Sequence, residues 1–406
     1  MQTRLPNTLL STEKGQRADR ILRSCVHCGF CNATCPTYQL MGDELDGPRG
    51  RIYLIKQMLE GNRVSERTRV HLDRCLTCRN CETTCPSGVS YHELLDIGRE
   101  FIEINQPRPL LQRIQRKLLL TFFPYTHRFA ALMRLAGWFR PMLPANIRSK
   151  MPQAAPRVAA IKPQAHNRRM LLLDGCVQPV LQPGINQAVI SVLDQLGVQV
   201  EITPEAGCCG AMAQHLADTR LARKQMQANI NAWWPAIEAG AEAIISSASG
   251  CGLMLKEYGE LMKDDPDYRD KAARISTLAK DIVEVLENED LTTLPPATPK
   301  SIAFHPPCTL QHGQQLGGRV ESLLKQLGYE LAPVHDSHLC CGSAGTNSIF
   351  QPEIANALRD NKLTNLQARQ PALIATANIG CHEHLRSAAN VPVVHWIELL
   401  AAPRKA

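Results

Sequence analysis

Residues 25–36 read CVHCGFCNATCP and residues 75–86 read CLTCRNCETTCP, two copies of the spacing C-x2-C-x2-C-x3-C-P. Two-residue gaps let a tight turn aim three thiolates at three irons of one cubane. The three-residue gap sends the fourth thiolate toward a neighbouring cluster. The spacing therefore predicts one [4Fe-4S] centre on Cys25, Cys28, Cys31 and Cys85, and a second on Cys75, Cys78, Cys81 and Cys35. A zinc site built from four cysteines normally shows two separate CxxC knuckles instead of a CxxCxxC run.

The 39 residues between Cys35 and Cys75 are far more than a small two-cluster chain needs. They carry helical periodicity, with Ile52, Ile55, Met58 and Leu59 on one face. Gly61 and Asn62 end that helix. The expected unit is an all-helical two-cluster ferredoxin domain over residues 1–103.

Eight further cysteines form an internal repeat. Cys176 is followed after 31 residues by the doublet Cys208-Cys209, and Cys308 after 31 residues by Cys340-Cys341. Cys251 and Cys381 close the two copies, which are offset by about 132 residues. A disulfide within a doublet is disfavoured, because adjacent α-carbons sit about 3.8 Å apart and a relaxed bridge wants roughly 4.4–6.8 Å. Each copy reads as a buried strand ending at a cysteine (RRMLLLDGC, KSIAFHPPC), a helix, a second strand, the CCG turn, another helix and a third strand. That grammar is α/β, and it gathers the cysteines at the carboxyl ends of the strands, where open α/β sheets bind ligands. Two four-thiol sites follow: Cys176, Cys208, Cys209 and Cys251, then Cys308, Cys340, Cys341 and Cys381. Three readings of them stand open: an iron–sulfur centre, zinc or another structural metal, and metal-free thiols. The expected fold class is α + α/β: the helical ferredoxin domain, a basic amphipathic stretch over 104–167, and duplicated α/β CCG domains over 168–296 and 297–406.

The amino terminus has no apolar signal core, so a reducing compartment is expected, and sixteen cysteines there point to metal more than to disulfides. No run of 18 apolar residues is present, so no membrane-spanning helix is expected. The net charge of +7 is concentrated: Ile104 to Leu173 holds thirteen Lys or Arg and no Asp or Glu. Within it Leu111, Ile114, Leu118 and Phe122 share a helical face, with Arg113, Arg116 and Lys117 elsewhere. A cationic amphipathic helix suits an anionic bilayer surface; a linker or a partner-docking face is the other reading. No nucleic-acid partner is expected. There is no G-x-G-x-x-G opening a helix, no P-loop, no H-E-x-x-H and no nucleophile elbow. The inference is a subunit without catalytic residues of its own, carrying electrons for a partner that oxidises the substrate. Among the histidines, His27 reads as a cluster shield, His71 and His92 as solvated, and His384 as a candidate ligand; Trp233 and Trp234 read as helix packing.

Two CxxCxxCxxxCP runs separated by GDELDGPRGRIYL, followed by two CCG units, resemble the iron–sulfur subunits of glycolate oxidase, also called glycolate dehydrogenase. The architecture is similar to the iron–sulfur subunit of anaerobic glycerol-3-phosphate dehydrogenase, and the CCG units look like those of heterodisulfide reductase and lactate-utilisation proteins. The resemblance implies a bacterial complex in which a flavin subunit oxidises glycolate to glyoxylate. A second FAD-domain-like subunit is implied beside it. Electrons then leave through this chain toward quinone, at the cytoplasmic face of the inner membrane. Glycerol 3-phosphate or lactate as substrate, or chemistry at the CCG sites, are the alternatives. One departure stands out: where heterodisulfide reductase has a fifth cysteine closing each unit, this chain has Met254 and His384. That departure counts against a noncubane centre.

Overall fold

The computed structural model describes residues 1–139, 164–295 and 301–401. In the amino-terminal part, helices Glu13–Ser24, Pro48–Leu59, Glu66–Asp73 and Tyr91–Asn105 enclose an apolar core of Leu22, Ile55, Leu59, Leu72, Leu94 and Leu95. Ile52, Ile55, Met58 and Leu59 all face this core, as their spacing predicts, and the helix stops at Leu59 just before Gly61. Thr12 and Ser65 accept from backbone amides at two of the helix starts, which fixes where those helices begin.

A buried carboxylate braces this domain. Asp46 is wholly buried; His71 Nδ1 lies 3.0 Å and Arg74 Nη1 2.8 Å from its oxygens. Buried Arg51 donates to His71 O and to Thr37 Oγ1, and Thr37 Oγ1 donates to Asp46 O. His71 is therefore not solvated, as its sequence position led us to expect, but held in a charge network under the cysteine loops. A buried anion needs partners of this kind to be tolerated.

The remainder forms two parallel four-stranded sheets. The first has the order β2-β1-β3-β4, from Arg168–Leu172 (β1), Val198–Glu201 (β2), Ile244–Ser246 (β3) and Ala279–Asp281 (β4). The second repeats it as β6-β5-β7-β8, from Ser301–His305 (β5), Glu330–Leu331 (β6), Leu373–Thr376 (β7) and Val393–His395 (β8). The sequence pattern predicts three strands per copy; the structure adds β4 and β8 at one edge. Each is only three residues long, too short for a period to register. Each runs directly into a capping box, Asp281 with Glu284 and His395 with Glu398, which marks the two ends as equivalent.

The two halves are fused. Leu172 and Val189 of the first share one apolar cluster with Ile302, Phe304, Val320 and Trp396 of the second. Buried His395 donates from Nε2 to Ser247 O at 2.9 Å, and Ser249 N donates to Ala377 O at 3.1 Å.

The basic stretch contributes helices Leu110–Phe122 and Thr126–Phe139, anchored by buried Leu119 and Phe129. Leu111, Ile114 and Leu118 are exposed, so the predicted apolar face is uncovered in the isolated chain. Arg116 turns inward. It pairs with Asp73 and Glu103, donates to Leu216 O, and lies over the Phe350 ring, touching all three parts of the molecule. Residues 140–163 of the basic stretch, and the boundary expected at 296–297, lie outside the described residues.

Candidate metal centres

The two CxxCxxC loops are built alike. His27 and Gly29 have φ of 58° and 88°, and the matching Thr77 and Arg79 have 52° and 60°. Only one of these four is glycine, and the other three hold left-handed backbone at a cost of about 1 kcal/mol or more each. Such a turn points consecutive cysteine side chains the same way. Cys25, Cys28, Cys31 and Cys85 line one cavity; Cys35, Cys75, Cys78 and Cys81 line another. Cys81, Pro48 and Tyr91 border both, so the cavities abut. The fourth cysteine of each run is thus brought to the other run's loop.

These cavities suit a thiolate-ligated cluster. Thr77 N and Tyr91 Oη lie 3.5 and 3.6 Å from Cys75 Sγ, donors of the kind that tune cluster sulfurs. Burial pushes the Cys31 thiol up to about 11 and holds Cys78 and Cys81 well above the ordinary thiol range. Thiols in that state are poor ligands until a cation arrives, and a coordinating metal deprotonates them outright.

In each carboxy-terminal half the four expected thiols converge at the strand ends. Cys176 contacts Cys208, and Cys209 contacts both Cys208 and Cys251. In the second copy Cys308 Sγ lies 3.9 Å from Cys340 Sγ, and Cys341 contacts Cys381. All but Cys251 are buried. Contact with Cys208 and then burial push the Cys176 thiol well up, and contact with Cys340 and then burial do the same at Cys308. Gly342 N donates to Cys340 Sγ at 3.4 Å.

The second cysteine run of the amino-terminal domain sits on both halves. Leu76 and Cys78 pack in one cluster with Cys308, Cys340 and Leu358. Arg79 forms an ion pair with Glu257 of the first half, while Asn80 Nδ2 donates to His338 O of the second. His312 donates from Nε2 to His338 O, and its Nδ1 lies 3.0 Å from Thr83 Oγ1. His92, read from sequence as solvated, instead pairs with Glu82, whose carboxylate holds the imidazole above its ordinary range against the opposing effect of burial. Trp233 is fully buried and Trp234 stacks against Lys271, the packing roles expected.

His384 is not among the thiols; its Nε2 donates to Ala355 O at 3.0 Å. The imidazole that does face them is His305, in the HPPC segment leading to Cys308. Sequence reasoning missed it because the strand pattern hides which way a residue three before a cysteine points. Buried Lys362, which donates to Asp336 O and Ser337 O beside this site, was missed in the same way.

Comparison with known proteins finds two matching families. The 4Fe-4S dicluster domain matches residues 21–89, and the cysteine-rich CCG domain matches residues 170–256 and 302–386. The glycolate oxidase iron-sulfur subunit of Escherichia coli (strain K12) is 54% identical over 98% of each chain. The probable glycolate oxidase iron-sulfur subunit of Bacillus subtilis (strain 168) is 32% identical over 89% of this chain and 87% of its own. Lactate utilization protein A of Bacillus licheniformis is 27% identical over 55% of this chain and 95% of its own. A crystal structure of a hypothetical protein from Helicobacter pylori shares the fold, with a TM-score of 0.54 at 12% identity over 97% of this chain and 74% of that one. A helical dicluster domain, duplicated CCG units and close identity along nearly the whole chain place this protein in the family of glycolate oxidase iron–sulfur subunits.

Proposed function

We propose that this chain is the electron-transfer subunit of a complex that oxidises glycolate to glyoxylate at a flavin held by a partner subunit. The observation that carries this reading is the packing of Cys78 against the cluster that holds Cys308 and Cys340, which sets an amino-terminal cysteine cavity against a carboxy-terminal site. In this reading Cys25, Cys28, Cys31 and Cys85 hold one [4Fe-4S] cluster, and Cys75, Cys78, Cys81 and Cys35 hold the other. Bound there, the clusters supply one-electron storage. The chain's own residues fix their spacing, donate hydrogen bonds to sulfur and exclude water. Cys176, Cys208, Cys209 and Cys251, and Cys308, Cys340, Cys341 and Cys381, hold a further iron–sulfur cluster or metal. The working division is 1–103, 104–167, 168–296 and 297–406.

The partners are a flavin dehydrogenase subunit and a second FAD-domain-like subunit, with quinone as the outlet. No helix among the described residues is long and apolar enough to cross a membrane. The exposed Leu111, Ile114 and Leu118 beside Arg113 and Lys117 support peripheral contact with the cytoplasmic face of an inner membrane. Purification with native partners, followed by iron, sulfide, flavin and glycolate-oxidation assays, tests the reading. About eight irons per chain means two cubanes only, and about twelve to sixteen means the CCG thiols bind iron too. Glycolate oxidation by the isolated chain would sink the relay. Sedimentation with anionic vesicles, lost on Leu111→Ser with Leu118→Ser, tests the membrane contact.

A further inference from the structure

The two carboxy-terminal sites differ in what faces their thiols. Ser246 pairs with Asp281 and Thr376 with His395, the two capping-box residues, so the third and fourth strands of the copies correspond residue by residue. Leu172 pairs with Ile245 and Phe304 with Ala375. The next residues, Leu173 and His305, therefore occupy the same place at the end of the first strand. Leu173 packs in an apolar cluster with Cys209. His305 is fully buried, and neither ring nitrogen has a hydrogen-bond partner. A ring nitrogen of His305, Cys341 Sγ and Cys381 Sγ all lie within 4.8 Å of one another.

A buried histidine with a structural role alone shows a partner. His395 donates to Ser247 O and His384 to Ala355 O. An imidazole that meets no donor or acceptor but faces two thiols is instead arranged as a ligand, because a metal ion satisfies a ring nitrogen and both sulfurs together. A second difference points the same way. Ala222 O and Ala355 O approach Gly210 and Gly342 equivalently, which matches Asn229 with Lys362 seven residues on. Asn229 is neutral and bonded to Gly207 N and Cys208 O, whereas buried Lys362 donates to Asp336 O and Ser337 O beside the second thiol group, an amine placed where it can offset thiolate charge.

We propose that His305 is a metal ligand of the second carboxy-terminal site, joining Cys341 and Cys381 in an imidazole–thiolate donor set that the first site lacks. This rests on the reading that the CCG thiols hold metal, iron–sulfur in the first instance. The neutral imidazole adds a donor without adding negative charge, and it stands in the copy whose thiols contact the amino-terminal domain.

The test uses the complex purified anaerobically from cells fed 15N-histidine, then reduced and examined by electron-spin-echo spectroscopy. The expected result is a weakly coupled histidine nitrogen that shifts with the label. It disappears in His305→Leu, the residue the first copy carries, and in His305→Gln, but persists in His384→Gln. If the site holds zinc instead, zinc per chain falls from about one to near zero in His305→Leu, which supports the ligand and overturns the cluster. Full metal content with an unchanged spectrum in both His305 variants overturns the assignment of His305. Unchanged iron and zinc in a chain with Cys340→Ala and Cys341→Ala overturns the reading beneath it.

Discussion

Cys78 of the second amino-terminal run and Cys308 of the second CCG unit are packed into the same apolar cluster, with Leu76, Ile354 and Leu358 around them. Cys176, the counterpart of Cys308, has its contacts with Cys208 and Cys251 instead. Duplicated sites are thus wired differently to the helical domain. Cys308→Ala is expected to alter the electron paramagnetic resonance signal of the cluster at Cys75, Cys78, Cys81 and Cys35. Cys176→Ala is expected to leave it as it is. Equal effects from the two substitutions would contradict the asymmetry.

The CCG turns differ in how tightly they are held. Gly342 has φ of 88°, and a Cβ there would stand 2.5 Å from Ala355 O; at Gly210, with φ of 93°, the nearest approach is 3.3 Å to Ala222 O. Both positions disfavour a side chain, but only Gly342 meets backbone it cannot displace. Gly342→Ala is expected to cost about 2–4 kcal/mol and Gly210→Ala about 1–2 kcal/mol. Thermal unfolding of the two variants under anaerobic conditions checks the order.

Between the halves, burial pushes the Asp281 carboxyl up to about 7 from an ordinary 3.8. From about pH 4 to 7 the folded protein keeps this proton while the unfolded chain releases it. The group's contribution to stability is therefore complete at low pH and lost as pH rises toward about 7. Asp281→Asn removes the titration and keeps an oxygen to accept from Val283 N. The stability difference, Asn minus Asp, is expected to grow over that range by an amount on the order of 4 kcal/mol. A flat difference across pH 4–8 would show that Asp281 titrates normally.

Arg116 ties the basic helix down, with side-chain exposure of 17% and partners Asp73, Glu103, Leu216 and Phe350. Arg116→Gln leaves Asp73 and Glu103 with Arg108 as their remaining cationic partner and is expected to cost about 1–2 kcal/mol. Arg116→Lys restores little, since an ammonium cannot fork to the same set. Faster tryptic cleavage at Arg113 and Lys117 is the direct readout.

The ferredoxin runs and the CCG repeat were legible because ligand spacing is local: both depend on gaps of a few residues or on a motif met twice. The face of Ile52, Ile55 and Met58 was legible for the same reason. What escaped is tertiary. Nothing near His71 in the chain announces that Asp46, twenty-five residues earlier, will bury against it. His384 looked like a ligand because it stands where a fifth cysteine would. Its helix turns it to Ala355 O, while His305 arrives from a strand in a different part of the chain. Proximity in sequence pointed to His384, whereas the fold brings His305 to Cys341 and Cys381.

The left-handed turns of the two cysteine loops have one further consequence. At Gly29 the position is easy, and the loop around it is open: Cys28 is exposed, with Val26 at 68% and Phe30 at 60%. At Arg79 the same backbone is held without glycine, and the side chain gained reaches Glu257 and seals the loop against the rest of the molecule. One terminal faces outward, where another subunit can touch it; the other is committed to the interior. The two loops therefore differ in access, one open at the surface and one sealed within the chain, and the difference is written in which residue occupies one turn.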